Sequence, residues 1–196
     1  RFYCCLIFFM AVMLGTVLSD NLMTMFMFWE LTGVASFILI GYKHPNPLAA
    51  YGARMSLLVT SLTSLALLAG ILMVKIAMGT LEWSSLSQQE FAFSNHSNWI
   101  YAIIFCFLVG IFGKSAQFPV YFWLPNAMVA PTPVSAYLHA ATMVKLGIFL
   151  TARMYPLFVS NALWYPFMTS ICFTTLLLGA VLSLLSHDLK AILAYA

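Results

Sequence analysis

Long apolar runs separated by short polar turns recur along the whole sequence. A helix of about 20 apolar residues is long enough to cross about 30 Å of hydrocarbon. Helices are the expected structure for such runs, because every backbone polar group must be satisfied inside the crossing segment, and the alternation of a barrel strand is absent. With 63% hydrophobic and 7% charged residues, the chain lacks the charge, roughly a quarter of all residues, that is typical of soluble domains. The sequence therefore predicts a multi-span membrane protein.

The runs predict an all-α polytopic transmembrane helix bundle with about six crossings and the start of a seventh. The fourth helix is predicted to be discontinuous, because prolines interrupt it. The predicted spans are approximately Phe2–Ser19, Leu22–Tyr42, Leu48–Met78, Trp99–Phe118, Thr132–Ala152 and Ala162–Ser186, followed by Leu189 onward. The sequence opens on Arg1 and stops at Ala196 within apolar runs. Residues 1–196 are therefore predicted to form one membrane domain that is an internal fragment of a longer protein.

Cysteine usage and net charge exclude several other classes of protein. The four cysteines have no C-x-x-C spacing and do not cluster with histidine, so neither a metal site nor a disulfide framework is indicated. No glycine-rich nucleotide loop is found, and we expect no cofactor. The net charge of +3 is too small to indicate a nucleic-acid partner.

The distribution of lysine and arginine predicts the orientation in the membrane. Arg1, Lys43, Arg54 and Lys190 fall on one side of the predicted bundle. The opposite side holds two basic residues and three acidic ones, namely Lys75, Arg153, Asp20, Glu82 and Glu90. By the positive-inside rule, the loops with Lys43 and Arg54 and with Lys190 are predicted to be cytoplasmic. The predicted location is the cell membrane.

Two charged residues lie deep inside predicted spans. Glu30 is about 12 Å along the second span and Lys114 about 22 Å along the fourth. Each charge costs on the order of 2.5–3.5 kcal/mol in mid-bilayer, so a pairing between them is favoured. Burial lowers the pKa of a lysine and a nearby carboxylate raises it again, which is the balance that a proton relay needs. The alternative is a structural ion pair, or side chains that reach an interface.

The prolines that follow Lys114 predict a helix break. Pro119 removes an intrahelical hydrogen bond, and Pro125 continues the irregular stretch towards the fifth span. Broken helices inside a membrane are tolerated where protein or water surrounds the freed backbone, and they line ion sites in many transporters. We therefore expect freed carbonyls that hold water or favour the ammonium of Lys114.

The fifth span carries a predicted polar stripe. At 100° per residue, Thr132, Ser135, His139, Thr142 and Lys145 fall within an arc of about 140°. A stripe about 15 Å long suits a buried hydrated track, and the alternative is polar contact between helices. The later segment from Ser186 to Lys190 is either a solvated turn or a functional cluster.

Three stretches of the sequence closely resemble one family of membrane proteins. They are "FWELTGVASFILIGY", "GKSAQFPVYFWLPNAMVAPTPVSAYLHAATMVKLGIFLTAR" and "HDLKAILAYA". The resemblance is to the antiporter-like membrane subunits shared by respiratory complex I and Mrp-type multisubunit cation/proton antiporters. It covers essentially the whole chain and implies roughly the fourth to tenth helices of a larger protein.

The resemblance implies a role for five residues. Glu30 and Lys114 match the family's coupling ion pair, whereas His139, Lys145 and Lys190 match residues on its central hydrophilic axis. Lys145 and the sequence before it, "FWLPNAMVAPTPVSAYLH", look more like the large A-type subunit of Mrp antiporters. Complex I homologues more often have a non-basic residue at the position of Lys145. The family's second half-channel would lie beyond this chain.

The leading hypothesis is a proton-translocating half-channel of a Mrp-type sodium/proton antiporter, which is a component of a secondary transporter and not an enzyme. Its implied partners are other membrane subunits of a hetero-oligomeric complex, protons, monovalent cations and the lipid bilayer. The first alternative is a proton-pumping subunit of respiratory complex I, whose redox chemistry would reside on other subunits. The second is a helix bundle with a receptor or scaffold role and no transport.

Overall fold

The structure, a computed structural model, describes residues 1–43, 45–86 and 97–196, without the side chains of residues 97, 98, 139 and 140. The described chain is helical almost throughout, which confirms the predicted all-α bundle. The α-helices are α1 (Phe2–Leu18), α2 (Leu22–Ile40), α3 (Pro47–Met78), α4 (Trp83–Leu86), α5 (Ser97–Lys114), α6 (Trp123–Ala127), α7 (Thr132–Val134), α8 (Met143–Phe158), α9 (Trp164–Leu185) and α10 (Leu189–Tyr195). A short 3-10 turn, Gly41–Lys43, follows α2, and a π-helical segment, Ser135–Thr142, joins α7 to α8.

Polar turn residues set the helix ends. The Asn21 side chain accepts a hydrogen bond from the backbone N–H of Met23 at 2.8 Å, and the Asn46 side chain accepts one from Leu48 at 3.0 Å. Each satisfies an N–H that has no partner in the first turn of its helix. Gly79, with φ of 74°, ends α3 in the left-handed conformation that glycine adopts without strain.

Helix α3 lies at the centre of the bundle and packs against α2, α5 and α6. Glycines allow α3 and α5 to approach closely. A Cβ added to Gly70 would lie 2.9 Å from the Phe107 ring, and one on Gly110 would lie 2.6 Å from Leu67. Close approach of helix backbones through small residues is the usual packing mode inside membranes. This packing places α3 directly against α5, the helix that ends at Lys114.

The outer surface of the bundle is apolar, as expected for a protein in lipid. Among the residues that the structure describes, four helical stretches are long and apolar enough to cross a membrane, and two shorter apolar helices accompany them. The four are residues 22–43, 47–78, 132–158 and 164–185, and the two are Phe2–Leu18 and Trp99–Lys114. Helix α9 exposes leucines along most of its length, with Leu184 at 86% exposure. The positions of the predicted spans are therefore confirmed.

Two details of the spans differ from the sequence prediction. The fourth helix ends at Lys114 and does not continue to Phe118. The fifth span begins with a π-helical segment and extends to Phe158, beyond the predicted end at Ala152. A π-helix has wider turns than an α-helix, so the angles calculated at 100° per residue do not hold across residues 135–142.

Candidate functional site

The site is built around the end of the broken helix α5. The chain leaves α5 through Ala116, whose φ of 52° lies in the left-handed region. The Gln117 N–H then donates back to the Phe112 carbonyl at 3.0 Å, which closes the helix in a Schellman-type end. Pro119 lies in the turns between α5 and α6, after α5 has already ended at Lys114. Pro125 lies within the first turn of α6, where a missing N–H costs no helical hydrogen bond.

Side chains satisfy the backbone carbonyls that the break exposes. The indole Nε1 of Trp123 donates to the Gly113 carbonyl at 3.0 Å, and Trp123 is fully buried. Further along the irregular link, the Lys190 ammonium donates to the carbonyls of Met128 at 3.3 Å and Ala130 at 2.8 Å. Side chains from the protein therefore supply hydrogen-bond donors to three carbonyls of the break and of the link that follows it.

Lys114 is buried between α5 and α2, with 1% of its surface exposed. Its ammonium donates to the backbone carbonyl of Trp29 at 3.0 Å and lies 5.5 Å from the centroid of the Trp29 ring. A carbonyl and an aromatic face both stabilise a desolvated cation. The hydrogen-bond acceptor of the ammonium thus comes from α2. The sequence analysis had instead expected the carbonyls that the break exposes to hold water or favour the ammonium.

Glu30 is half-buried on α2, next to the carbonyl that holds the ammonium. Its carboxylate acts on the Lys114 ammonium electrostatically. Within the described ranges no direct hydrogen bond or ion pair joins the two groups, and the closest acceptor of the ammonium is the Trp29 carbonyl. The acid and the amine therefore lie on separate helices, and the ammonium is bonded to the backbone carbonyl of the residue before Glu30.

Sequence reasoning missed a group of buried hydroxyls around this interface. They lie on α2 and α3, and their members are Thr32, Ser36, Ser56, Thr60, Thr63 and Ser64. Each donates to a carbonyl one turn earlier in its own helix, which leaves oxygen lone pairs free to accept hydrogen bonds. On α3 the successive spacings from Ser56 to Ser64 are four, three and one residues, which place these hydroxyls on one face of the helix. This spacing is the feature of the sequence from which the group could have been predicted.

The predicted polar stripe of the fifth span does not form one surface. Ser135 is buried and its hydroxyl donates to the Ala130 carbonyl at 3.4 Å, whereas Thr132 is exposed. Thr142 donates to the Tyr137 carbonyl at 2.7 Å, within the π-helical segment. The side chain of His139 lies outside the described residues. The prediction of one continuous arc was therefore wrong, because the π-helical turns separate its members.

Lys145 lines a cavity of about 710 Å³ on the other side of the break. The walls are the turn after Lys114, α8, α9 and α10, with polar groups at Ser115, Gln117, Thr175 and Ser183. The Phe118 N–H donates to the Thr175 hydroxyl at 3.0 Å, which ties α9 to the turn. Most of the wall is apolar, and a cavity of this size with these few polar groups has room for several water molecules.

Ser115 and Gly147 form the boundary between this cavity and α5. The Ser115 hydroxyl donates to the Ile111 carbonyl at 2.7 Å and packs onto the α-carbon of Gly147. A Cβ on Gly147 would overlap both the Ser115 hydroxyl and the Ile111 carbonyl. Ser115, the residue that follows the buried Lys114, therefore lines the Lys145 cavity.

The structure also brings together two of the charged residues that the sequence grouped on one side of the bundle, Asp20 and Arg153. Arg153 lies 4.0 Å from Asp20, donates to the Val17 carbonyl at 3.4 Å and stacks on the Trp83 ring at 5.5 Å. Asp20 in turn accepts from Ser84 at 2.8 Å. This cluster joins the α1–α2 turn, the segment before α5 and the end of α8.

A family model described as NADH:quinone oxidoreductase/Mrp antiporter, transmembrane, matches residues 19–196. The chain is also 48% identical over 196 residues to "Putative antiporter subunit mnhA2" of Staphylococcus aureus strain MSSA476, and equally so to the protein of that name in strain JH9. Each alignment covers 100% of this chain and 24% of the relative. The chain thus spans about a quarter of the length of these relatives.

A solved structure of similar fold is that of the Mrp complex from Dietzia sp. DQ12-45-1b. The match has a TM-score of 0.93 and 39% sequence identity, and it covers 98% of this chain and 21% of the matched chain. The path of the broken helix and the arrangement of the surrounding helices therefore also occur in a membrane complex that has been solved.

Proposed function

Because the chain belongs to the NADH:quinone oxidoreductase/Mrp antiporter family of membrane proteins, we propose that it forms a proton-translocating half-channel of a Mrp-type monovalent cation/proton antiporter. In this proposal it is one part of a larger protein, equivalent to the large A-type subunit of such antiporters, and works with other membrane subunits. It is a transporter component and catalyses no covalent chemistry. The antiporter names of its relatives and the Mrp complex of similar fold favour this interpretation over a pumping subunit of complex I.

One observation carries the proposal: a fully buried lysine lies at the end of a broken helix, beside a carboxylate on another helix. A buried ammonium is costly unless its surroundings compensate for the lost hydration. The Trp29 carbonyl and the Glu30 carboxylate supply that compensation. A lysine in this balance can release and regain a proton when the position or charge of Glu30 changes, which is the property required for coupling.

The proposed route runs from Lys114 across the turn into the cavity at Lys145. Water in the cavity would connect the two amines, since its walls carry hydroxyl and amide groups from Ser115 to Ser183. His139 would contribute a further proton-transfer group, and Lys190 would accept the proton at the start of α10. Lys190 also donates to the Met128 and Ala130 carbonyls, which lie between α6 and α7. Loss of the Lys190 proton would therefore weaken its hydrogen bonds to this segment.

The orientation and location belong to the same proposal. The loops that contain Lys43, Arg54 and Lys190 would face the cytoplasm of a cell whose plasma membrane holds the complex. The cluster of Asp20 and Arg153, together with the exposed Glu82, would then face outward. The substrates would be protons and a monovalent cation such as sodium.

The test is cation-driven proton movement in inverted membrane vesicles that contain the whole complex. We expect Lys114→Ala and Glu30→Ala to abolish the dequenching of a pH-sensitive dye on sodium addition, while the complex still assembles. Lys75→Ala and Glu82→Ala are the matched controls, because both side chains are exposed at the rim, and both should retain activity. Normal antiport in the Lys114 and Glu30 variants would refute the proposal.

A further inference from the structure

The backbone carbonyl of Trp29 accepts hydrogen bonds from two side chains. The Lys114 ammonium donates to it at 3.0 Å, and the Thr32 hydroxyl, three residues further along α2, donates to it at 2.6 Å. Thr32 and Trp29 are 0% exposed and Lys114 is 1% exposed. The threonine and the lysine therefore share one acceptor at a position that is closed to bulk solvent.

The same carbonyl also has a donor from its own helix. Helix α2 runs from Leu22 to Ile40, and in an α-helix the Trp29 carbonyl accepts from the N–H of Gly33, four residues later. A carbonyl oxygen has two lone pairs, so three donors exceed what it can satisfy fully. Each donor is therefore bound less strongly than it would be if one of the others were absent.

The ammonium lies against the turn of α2 that contains Thr32. A Cβ added to Gly33 would lie 3.4 Å from the Lys114 Nζ, and the ammonium bonds to the Trp29 carbonyl at the other end of the same turn. Thr32 lies between these two residues in the chain. Its hydroxyl is thus in a position to act on Lys114 through the acceptor that the two side chains share.

A lysine that takes part in transport has to leave its acceptor as well as bind to it. When a buried ammonium moves away, the carbonyl that it leaves loses a hydrogen bond, and an unsatisfied buried acceptor is costly. The Thr32 hydroxyl reduces this cost, because it already donates to the Trp29 carbonyl and remains there when the ammonium has gone. Both the competition before departure and the replacement after it favour release of Lys114.

We propose that Thr32 is a positioning residue for Lys114, which limits how tightly the Trp29 carbonyl holds the ammonium. The inference rests on the proposed role of Lys114 in antiport. It assigns to one hydroxyl of α2 an effect on the rate of transport, exerted through a backbone oxygen. Removal of the hydroxyl should leave the ammonium more firmly bound and transport slower.

The experiment compares the rate of sodium-driven proton movement in vesicles that contain the whole complex, at equal amounts of assembled protein. Thr32→Val keeps the shape of the side chain and removes the hydroxyl, and it should lower the rate about fivefold, as expected for one hydrogen bond. Thr32→Ser keeps the hydroxyl and removes a buried methyl, and it should stay within about twofold of the original rate. A packing role would give the opposite order and would overturn the inference.

A second readout separates this role from a structural one. In Thr32→Val the Trp29 carbonyl keeps two donors, so the apparent Tm of the complex should not fall; a slower rate with a lower Tm would overturn the inference. Thr16→Val is the matched control, because Thr16 is equally buried and donates to a different carbonyl, that of Val12 on α1, at 2.9 Å. Its rate should be unchanged.

The remaining outcomes distinguish the inference from the proposed function. An unchanged rate in Thr32→Val, with Lys114→Ala inactive, would overturn the role of Thr32 and leave the proposed function standing. If Thr32→Val does not assemble, Thr32→Ala is compared with Thr32→Ser, which differs from it by one oxygen atom. The alanine variant should then be about fivefold slower, and equal rates would overturn the inference. Full activity of Lys114→Ala would instead overturn the proposed function.

Discussion

Replacing Trp123 by phenylalanine tests whether a single indole holds the helix break in place. The Trp123 Nε1 donates to the Gly113 carbonyl at 3.0 Å, one residue before Lys114, and the side chain is fully buried. The variant keeps an aromatic ring there but leaves a buried carbonyl without this donor. That loss costs about 1–3 kcal/mol, and the smaller ring adds about 1 kcal/mol for incomplete packing.

The expected loss of stability is therefore about 2–4 kcal/mol. At 1.4 kcal/mol per factor of ten, even 2 kcal/mol raises the population with a disrupted break about 30-fold. The measurement is the apparent Tm of the detergent-solubilised complex, followed by loss of its monodisperse peak in size-exclusion chromatography. Antiport activity in vesicles should fall in parallel, since Lys114 depends on the same turn for its position.

Trp29→Phe is the matched control. Trp29 is equally buried, the change in side-chain volume is the same, and its Nε1 has no hydrogen-bond partner within the described part of the chain. The substitution therefore removes no hydrogen bond to protein, and its apparent Tm should fall by clearly less. An equal fall in the two variants would show that the bond to Gly113 contributes nothing and would refute the reasoning.

Four other predictions follow from the contacts around the break and at the rim. Gly147→Ala should destabilise the complex by about 1–3 kcal/mol in thermal assays, because the new Cβ overlaps the Ser115 hydroxyl; unchanged stability would contradict the observed packing. Ala116→Val should lower expression of assembled complex, since a β-branched residue is strained at a φ of 52°. Arg153→Ala should cost about 1 kcal/mol, only weakly dependent on salt, because its carbonyl and ring contacts persist when charge is screened. Lys43→Cys, in a background without native cysteines, should react with impermeant maleimide only in inverted vesicles, and labelling in intact cells would reverse the proposed orientation.

The helices and the position of the break were predictable from the sequence because both depend on local chemistry. Apolar length determines which segments cross a membrane, and proline removes a backbone donor wherever it occurs. Glu30 and Lys114 were recognisable because a charge within an apolar run is costly regardless of its neighbours. Helix α5 ends at Lys114, before Pro119, and Pro125 lies inside a short helix, so the prolines alone do not give the residue at which the chain leaves the helix.

The polar stripe of the fifth span was not predictable in the same way. A helical wheel assumes one angle per residue, and the π-helical segment Ser135–Thr142 breaks that assumption. The buried hydroxyls of α3 carried a periodic signal, but serine and threonine are ordinary in membrane helices, because they can bond to their own backbone. Which of these hydroxyls lies near the Lys114 ammonium, as Thr60 does, depends on how α3 packs against α2 and α5.

The sequence alone predicts a membrane-spanning helix bundle in which an acid and an amine lie within apolar segments, the amine near a backbone break. Only the tertiary structure decided that the Lys114 ammonium bonds to the Trp29 carbonyl, that Trp123 caps Gly113 and that Lys145 opens into a cavity. The physical reason is that backbone carbonyls are present at every residue and leave no mark in the sequence. Which of them becomes an acceptor depends on the helices that packing brings together.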